Sequence, residues 1–112
     1  LHGRERKHSE RSIKACLVSL AILKILSKRN LHGYALIELL EDIFRQEISK
    51  PLVYIVLRRL EEKGLVRSRW EIGEQGPARR IYFLTERGKL FLEKKMKDLV
   101  ELIEICRRII DY

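Results

Sequence analysis

From residue 12 onward the apolar positions recur with a helical period, broken first near Gly33 and again after Gly64. Ser12 suits an N-cap, and residues 12–28 follow as a helix in which Ile13, Cys16, Leu17, Leu20 and Leu23 fill a wide buried face. Asn30-Leu31-His32-Gly33 interrupts the period, and a second, shorter helix is predicted over residues 33–44, with Leu36, Ile37, Leu40 and Phe44 inward. Ser49 offers another N-cap, and Pro51 sits in the first turn, where its missing N–H costs nothing. This third helix runs to Lys63, and Gly64 is placed to end it. The pattern then turns strand-like over residues 65–72, with a loop at 73–77 and a returning strand at 78–84. Thr85 caps a last helix over 86–111, while residues 1–11 are polar, charged and aperiodic and read as a mobile basic arm.

The predicted fold is mainly α with a small β-hairpin. Three helices, a hairpin and a long helix are the order of a winged helix-turn-helix domain, assigned to residues 12–85, followed by a C-terminal dimerisation helix over 86–112. That last helix would span ~39 Å, too long to be covered by one small domain. Leu92, Met96, Leu99, Ile103, Cys106 and Ile110 recur at alternating spacings of four and three, which is a heptad seam for a second copy. A second row, Phe91, Leu102, Ile105 and Ile109, widens the arc, so that one stripe can pack on the chain's own first helix and the other on a partner.

Composition adds a partner to this picture. The 112 residues suffice for one modest core, and 46% hydrophobic with 36% charged residues is a folded composition. The net charge of +8 is unevenly spread: residues 4–14 carry +3, residues 45–80 carry +4, and residues 24–44 carry none. Such an excess suits a polyanion, because Lys and Arg displace condensed counterions from phosphates. The longest uncharged stretch, residues 15–23, is too short to cross a bilayer and no signal-peptide pattern precedes it, so a cytoplasmic protein without a membrane partner is expected. The chain opens on Leu1 rather than Met, which allows a start further upstream. Cys16 and Cys106 lie on apolar helical faces and read as core thiols of a reducing compartment; with no Cys/His cluster, no metal site is expected. A single Asn among many Lys, Arg and Glu resembles the bias of proteins from hot environments. Asp occurs only at 42, 98 and 111, and neither a nucleophile motif nor a Gly-rich phosphate loop is present, so no catalytic residue and no cofactor are assigned.

Winding the third helix separates its faces. Leu52, Val53, Val56, Leu57 and Leu60 fall on one side as core, and Pro51, Tyr54, Ile55, Arg58 and Glu62 on the other. An aromatic hydroxyl, an arginine and an unburied isoleucine supply what a major-groove helix needs, donors for base edges and a methyl surface for thymine. Ser49, Lys50 and the helix N-terminus suit phosphates. Read alone, the same face is also an ordinary solvated helix in which Arg58 and Arg59 pair with Glu61 and Glu62. In the hairpin, Arg79 and Arg80 follow a Gly/Pro turn and must point to opposite faces, so one can reach DNA while the other braces the wing. The candidate DNA contacts are therefore Ser49, Lys50, Tyr54, Arg58, Arg79 and Arg80. His32 reads as a structural side chain at a helix start, and Trp70 as a packing residue rather than the wall of a ligand pocket at the dimer interface.

Three blocks resemble the PadR family of transcriptional regulators: Leu31-His32-Gly33-Tyr34; Val53-Tyr54 with the stretch 57–66; and the stretch 76–88, Gly-Pro-Ala-Arg-Arg-Ile-Tyr-Phe-Leu-Thr-Glu-Arg-Gly. The resemblance covers residues 13–112. It implies a winged-helix homodimer, joined by a single C-terminal helix, that typically represses a nearby gene, often in response to a small hydrophobic or phenolic effector. Effector binding varies widely among such proteins, so the ligand does not carry over. Ile55 and Ile81 depart from the family, where proline and an aromatic are common. The expected function is sequence-specific binding of a pseudo-palindromic double-stranded operator. A non-specific architectural DNA-binding protein and a winged-helix protein-interaction module are the alternatives.

Overall fold

A computed structural model describes residues 2–73 and 76–112, with side chains from Ile13 onward. The order is α1 (His2–Leu26), β1 (Leu31–His32), α2 (Gly33–Phe44), α3 (Lys50–Glu62), β2 (Val66–Glu71), β3 (Arg79–Leu84) and α4 (Glu86–Asp111). This is a winged helix-turn-helix arrangement, with α2 and α3 as the two motif helices and β2–β3 as the wing.

Two boundaries differ from the sequence reading. Helix α1 is bounded at His2, so Ser12 lies inside it and is not its cap; the side chains of the expected arm, residues 1–11, fall outside those described. No proline precedes Pro51, and Arg, Lys and Glu favour helix, so nothing at residues 4–12 stops the backbone from continuing. The break at Leu31–His32 is itself a two-residue strand that pairs antiparallel with β3, Leu31 opposite Tyr82 and His32 opposite Ile81. The sheet thus has three strands, in the order β1-β3-β2. Two residues are too few to show a period, yet they cover an edge of β3 that would otherwise present unpaired backbone.

The core gathers one face from each motif helix. Val18, Ile22 and Leu23 of α1 meet Leu36 and Leu40 of α2 and Val53, Val56 and Leu57 of α3, all fully buried. Helix ends are fixed by local chemistry. Arg45 adopts a left-handed conformation and its N–H bonds the Glu41 carbonyl, while the Glu41 carboxylate accepts from the Ile48 N–H at 3.0 Å. One residue thereby ties both sides of the turn between α2 and α3. Ser49 caps α3 by accepting from the Leu52 N–H. At its other end, bonds from Gly64 N–H to Glu61 and from Leu65 N–H to Leu60 form a Schellman stop, with Gly64 at φ +74°.

Thr85 joins this stop to α4. Its hydroxyl donates toward the Gly64 and Leu65 carbonyls (2.7 and 3.1 Å) and accepts from the Gly88 N–H (2.9 Å). Only the first part of α4 is then covered: Leu92 is 6% exposed in the chain's own core, and Phe91 and Met96 pack against it. Leu92 is therefore a core residue and not part of a free seam, because α4 must first cross α1 before it leaves the domain. From Val100 to the end every residue is exposed. Cys16 and Cys106, expected as core thiols, are exposed as well, since each lies on a helix face that a single chain leaves uncovered.

Gly88 sets how closely α4 approaches the α3–β2 turn, for a Cβ there would collide with the Leu65 carbonyl oxygen. The Leu84 methyl beside it could move, but the carbonyl is backbone and cannot swing aside. Gly88→Ala should therefore cost about 3 kcal/mol or more in a denaturant titration, the upper range of overpacking. A loss below about 1 kcal/mol would show that this junction relaxes freely.

Candidate nucleic-acid interface

Helix α3 divides as its sequence requires. Val53, Val56, Leu57 and Leu60 are buried, whereas Tyr54, Ile55 and Arg58 are exposed on the opposite face. Tyr54 (46% exposed) does not stand straight out from the helix. Its ring leans on the start of α2, and its hydroxyl lies 2.9 Å from where a Gly33 Cβ would be. Gly33 thus leaves the space that Tyr54 occupies. Ser49 and Lys50 are exposed at the α3 N-terminus, with the Lys50 ammonium 5.9 Å from the centre of the Tyr34 ring.

On the wing, strand register separates the adjacent arginines. Ser68 pairs with Tyr82 and Trp70 with Arg80, so these four share one face of the hairpin; Arg79, opposite Glu71, is on the other. Arg80 turns back toward α3: its Nε donates to Ser68 Oγ at 2.8 Å, and its Nη2 lies 3.6 Å from Glu61 Oε1. Arg79 is exposed and has no ion pair among the described residues. Glu71, its register partner, instead faces His32, with 3.6 Å between Oε1 and Nε2. His32 makes no side-chain cap on α2, and its Nε2 is buried without a hydrogen bond, consistent with a structural residue at the wing's base.

An open concavity of about 600 Å³ joins the two halves. Gly33, Tyr34, Tyr54, Trp70, Arg79 and Arg80 are on its walls. The structure thus places Tyr54, Arg79 and Arg80 around one surface, with Lys50 beside Tyr34 at its rim; Arg58 lies one turn further along α3 and Ser49 is occupied as a cap. Trp70 is 63% exposed and belongs to this surface, so it is not a core residue. Sequence reasoning missed Tyr34, Glu61 and Ser68 as parts of the site. Tyr34 carried a signal, an aromatic directly after the glycine that opens α2. Glu61 and Ser68 carried none, because their contacts cross from one element to the next and depend on how α3, β2 and β3 pack, which no helical or strand period encodes.

Residues 22–94, which hold the helix-turn-helix and the wing, match the profile of the transcriptional regulator PadR-like family. The chain belongs to that family. This PadR-like chain is 33% identical to the transcriptional regulator YqjI of Escherichia coli over 105 residues, 92% of this chain and 48% of that protein. It spans about half the length of the curated relatives it matches. A PadR-like transcription factor from Bacteroides fragilis superposes with a TM-score of 0.79 at 25% identity, over 91% of this chain and 98% of that one. The Bacillus subtilis PadR, solved in complex with operator DNA, shares the fold at a TM-score of 0.65 and 24% identity, over 71% of this chain and 46% of that one. PadR-like proteins are transcription regulators and not enzymes. No described helix is long and apolar enough to cross a membrane.

Tyr82, largely buried, forms part of the wall of this concavity. Burial raises its pKa above 10.0; the Arg80 charge partly offsets that, and Glu61 and Tyr54 add to it. A raised folded-state value means that the neutral phenol contributes stability in full below the unfolded value of 10.0 and loses it as pH rises through the folded value. Thermal unfolding followed up through that pH should fall more steeply in the wild type than in Tyr82→Phe. Parallel curves would remove Tyr82 from the alkaline transition.

Proposed function

We propose that this PadR-like chain is a homodimeric, cytoplasmic transcriptional regulator, a repressor, that binds a pseudo-palindromic double-stranded DNA operator. The observation that carries the reading is the shared surface: the outward face of α3 and the wing border one concavity, so both can meet the same duplex. Arg58 and Ile55 are the base-reading pair, a planar fork for guanine and a methyl surface for thymine. Ser49, Lys50 and the Tyr54 hydroxyl, which leans toward the start of α2, serve backbone phosphates, and Arg79 extends the charged surface from the wing. Arg80, engaged with Ser68 and Glu61, supports the wing.

The dimer rests on the far half of α4. Leu99 is half-buried, and Ile103, Cys106 and Ile110 are exposed in heptad register, an apolar row that water does not favour and that a second copy would cover. Met96 lies where the row meets the core. The concavity between α3 and the wing and the uncovered end of α4 are the two places where a small hydrophobic effector would act, either against DNA or against the dimer.

DNA binding is tested by footprinting on the region upstream of the protein's own gene, followed by titration of that site and a scrambled duplex. Arg58→Ala should lose about 1–3 kcal/mol on the site and little on the scrambled duplex. Arg79→Ala should weaken both and lower the slope of log affinity against log salt by about one per subunit. Equal losses on both duplexes for Arg58→Ala would favour an architectural protein, and no binding to either would favour a protein-interaction module.

The dimer is tested separately with Ile103→Glu, a residue 49% exposed in one chain. Its carboxylate is harmless to a monomer but unpaired in a closed seam, where it costs several kcal/mol. Sedimentation should show a folded monomer. A variant dimer of wild-type affinity would exclude this face.

A further inference from the structure

We infer that Glu61, Ser68 and Arg80 form a latch that fixes the angle of the wing to α3, so that Arg80 is a positioning residue for DNA and Arg79 the cation the wing presents. The functional half of this inference rests on the DNA-binding reading above; the structural half rests on geometry alone.

The three side chains form a directional chain across three elements. Arg80 Nε on β3 donates to Ser68 Oγ on β2 at 2.8 Å, and the Ser68 hydroxyl donates in turn to the Glu61 carboxylate at the end of α3, 3.0 Å from either oxygen. The guanidinium also stands 3.6 Å from Glu61 Oε1, so charge closes the triangle. A serine hydroxyl has one proton, and this order uses it fully: it accepts from the cation and donates to the anion. Both bonds are charge-assisted, and each polarises the other. The rings of Trp70 and Tyr82, with centres 5.7 and 6.0 Å from the guanidinium carbon, hold it in place. Glu61 is half-buried, at 27% exposure, so the arrangement is only partly screened by water.

Leverage gives the latch its consequence. From Ser68 to the end of β2 at Glu71, the register partner of Arg79, the strand advances three residues, roughly 10 Å. A rotation of about 10° at the latch would therefore move Arg79 by about 2 Å, enough to break a hydrogen bond to a phosphate. Holding α3 in one groove while the wing keeps its phosphate contact requires that this angle not drift. Arg80→Lys would keep the charge but lose the planar fork, whose Nε and Nη2 address the Ser68 hydroxyl and the Glu61 carboxylate in one fixed geometry.

The test uses the full chain and a mixed-sequence DNA duplex several helical turns long. Trp70 is the only tryptophan, so its fluorescence reports the latch without DNA. Ser68→Ala and Arg80→Lys should change Trp70 emission and its quenching by acrylamide, while Ser68→Thr, which keeps the hydroxyl, and Arg79→Ala should not. On DNA, Ser68→Ala and Arg80→Lys should bind about tenfold more weakly with an unchanged salt slope, because no phosphate contact is removed. Arg79→Ala should lower the slope, and Ser68→Thr should bind as the wild type does. Wild-type binding by Ser68→Ala would overturn the positioning role, as would a lowered slope in Arg80→Ala matching that of Arg79→Ala. If the wild type bound no duplex, the DNA reading and the positioning role would fall together. An unchanged Trp70 signal in Ser68→Ala would reject the latch itself.

Discussion

The carbonyl of Leu65 is where the architecture is joined. Thr85 reaches it through both its backbone N–H and its hydroxyl, and the missing side chain of Gly88 lets the first turn of α4 settle against it. Leu65 itself follows the left-handed Gly64 that stops α3. The end of α3, the base of the wing and the start of α4 are therefore tied within a few residues of one another. The direction in which α4 leaves and the base on which the hairpin stands are both set there, by backbone contacts that side-chain repacking cannot adjust.

Helix α3 must satisfy two neighbours at once, and its sequence divides the task by face. Four buried aliphatic residues anchor it to α1 and α2, which leaves Tyr54, Ile55 and Arg58 free of structural duty apart from the contact of Tyr54 with Gly33. At its C-terminal end Glu61 is neither core nor free surface. It bonds across to β2 and β3, and this is the only polar link from α3 to the wing among the described side-chain hydrogen bonds. The rigidity of the motif helices and the aim of the wing thus have different physical origins, apolar packing for the first and a short charge-assisted chain for the second.

This division explains what could be read from the sequence. The two faces of α3, the caps at Ser49 and Thr85, the stop at Gly64 and the hairpin all depend on residues near one another in the chain, and all were legible. The opposite facing of Arg79 and Arg80 followed from strand alternation, but which of them braces the wing depended on Ser68 and Glu61, whose approach no local pattern announces. β1 was missed because two residues have no period. Leu92 fitted the heptad as well as Ile103 does, yet α4 spends its first turns on α1, and periodicity alone cannot say where one partner ends and another begins. The family resemblance pointed to α3 and the wing, but not to the lean of Tyr54 toward α2, which turns on the absence of a side chain at Gly33.

Charge and exposure finally separate the molecule by use. Among residues 45–80 the excess of positive charge collects on α3 and the wing, where, among the described residues, only Arg80 has an ion-pair partner. Beyond Leu99 the exposed apolar residues collect instead, at the far end of α4, the longest described element. A polyanion would be drawn to the first region and repelled by neither, while only an apolar surface would gain from the second. Placing the two at different ends of one rigid junction means that pairing through α4 would fix the distance between two α3 helices without covering either. That spacing, not any property of a single chain, is what would let two such surfaces address two successive major grooves.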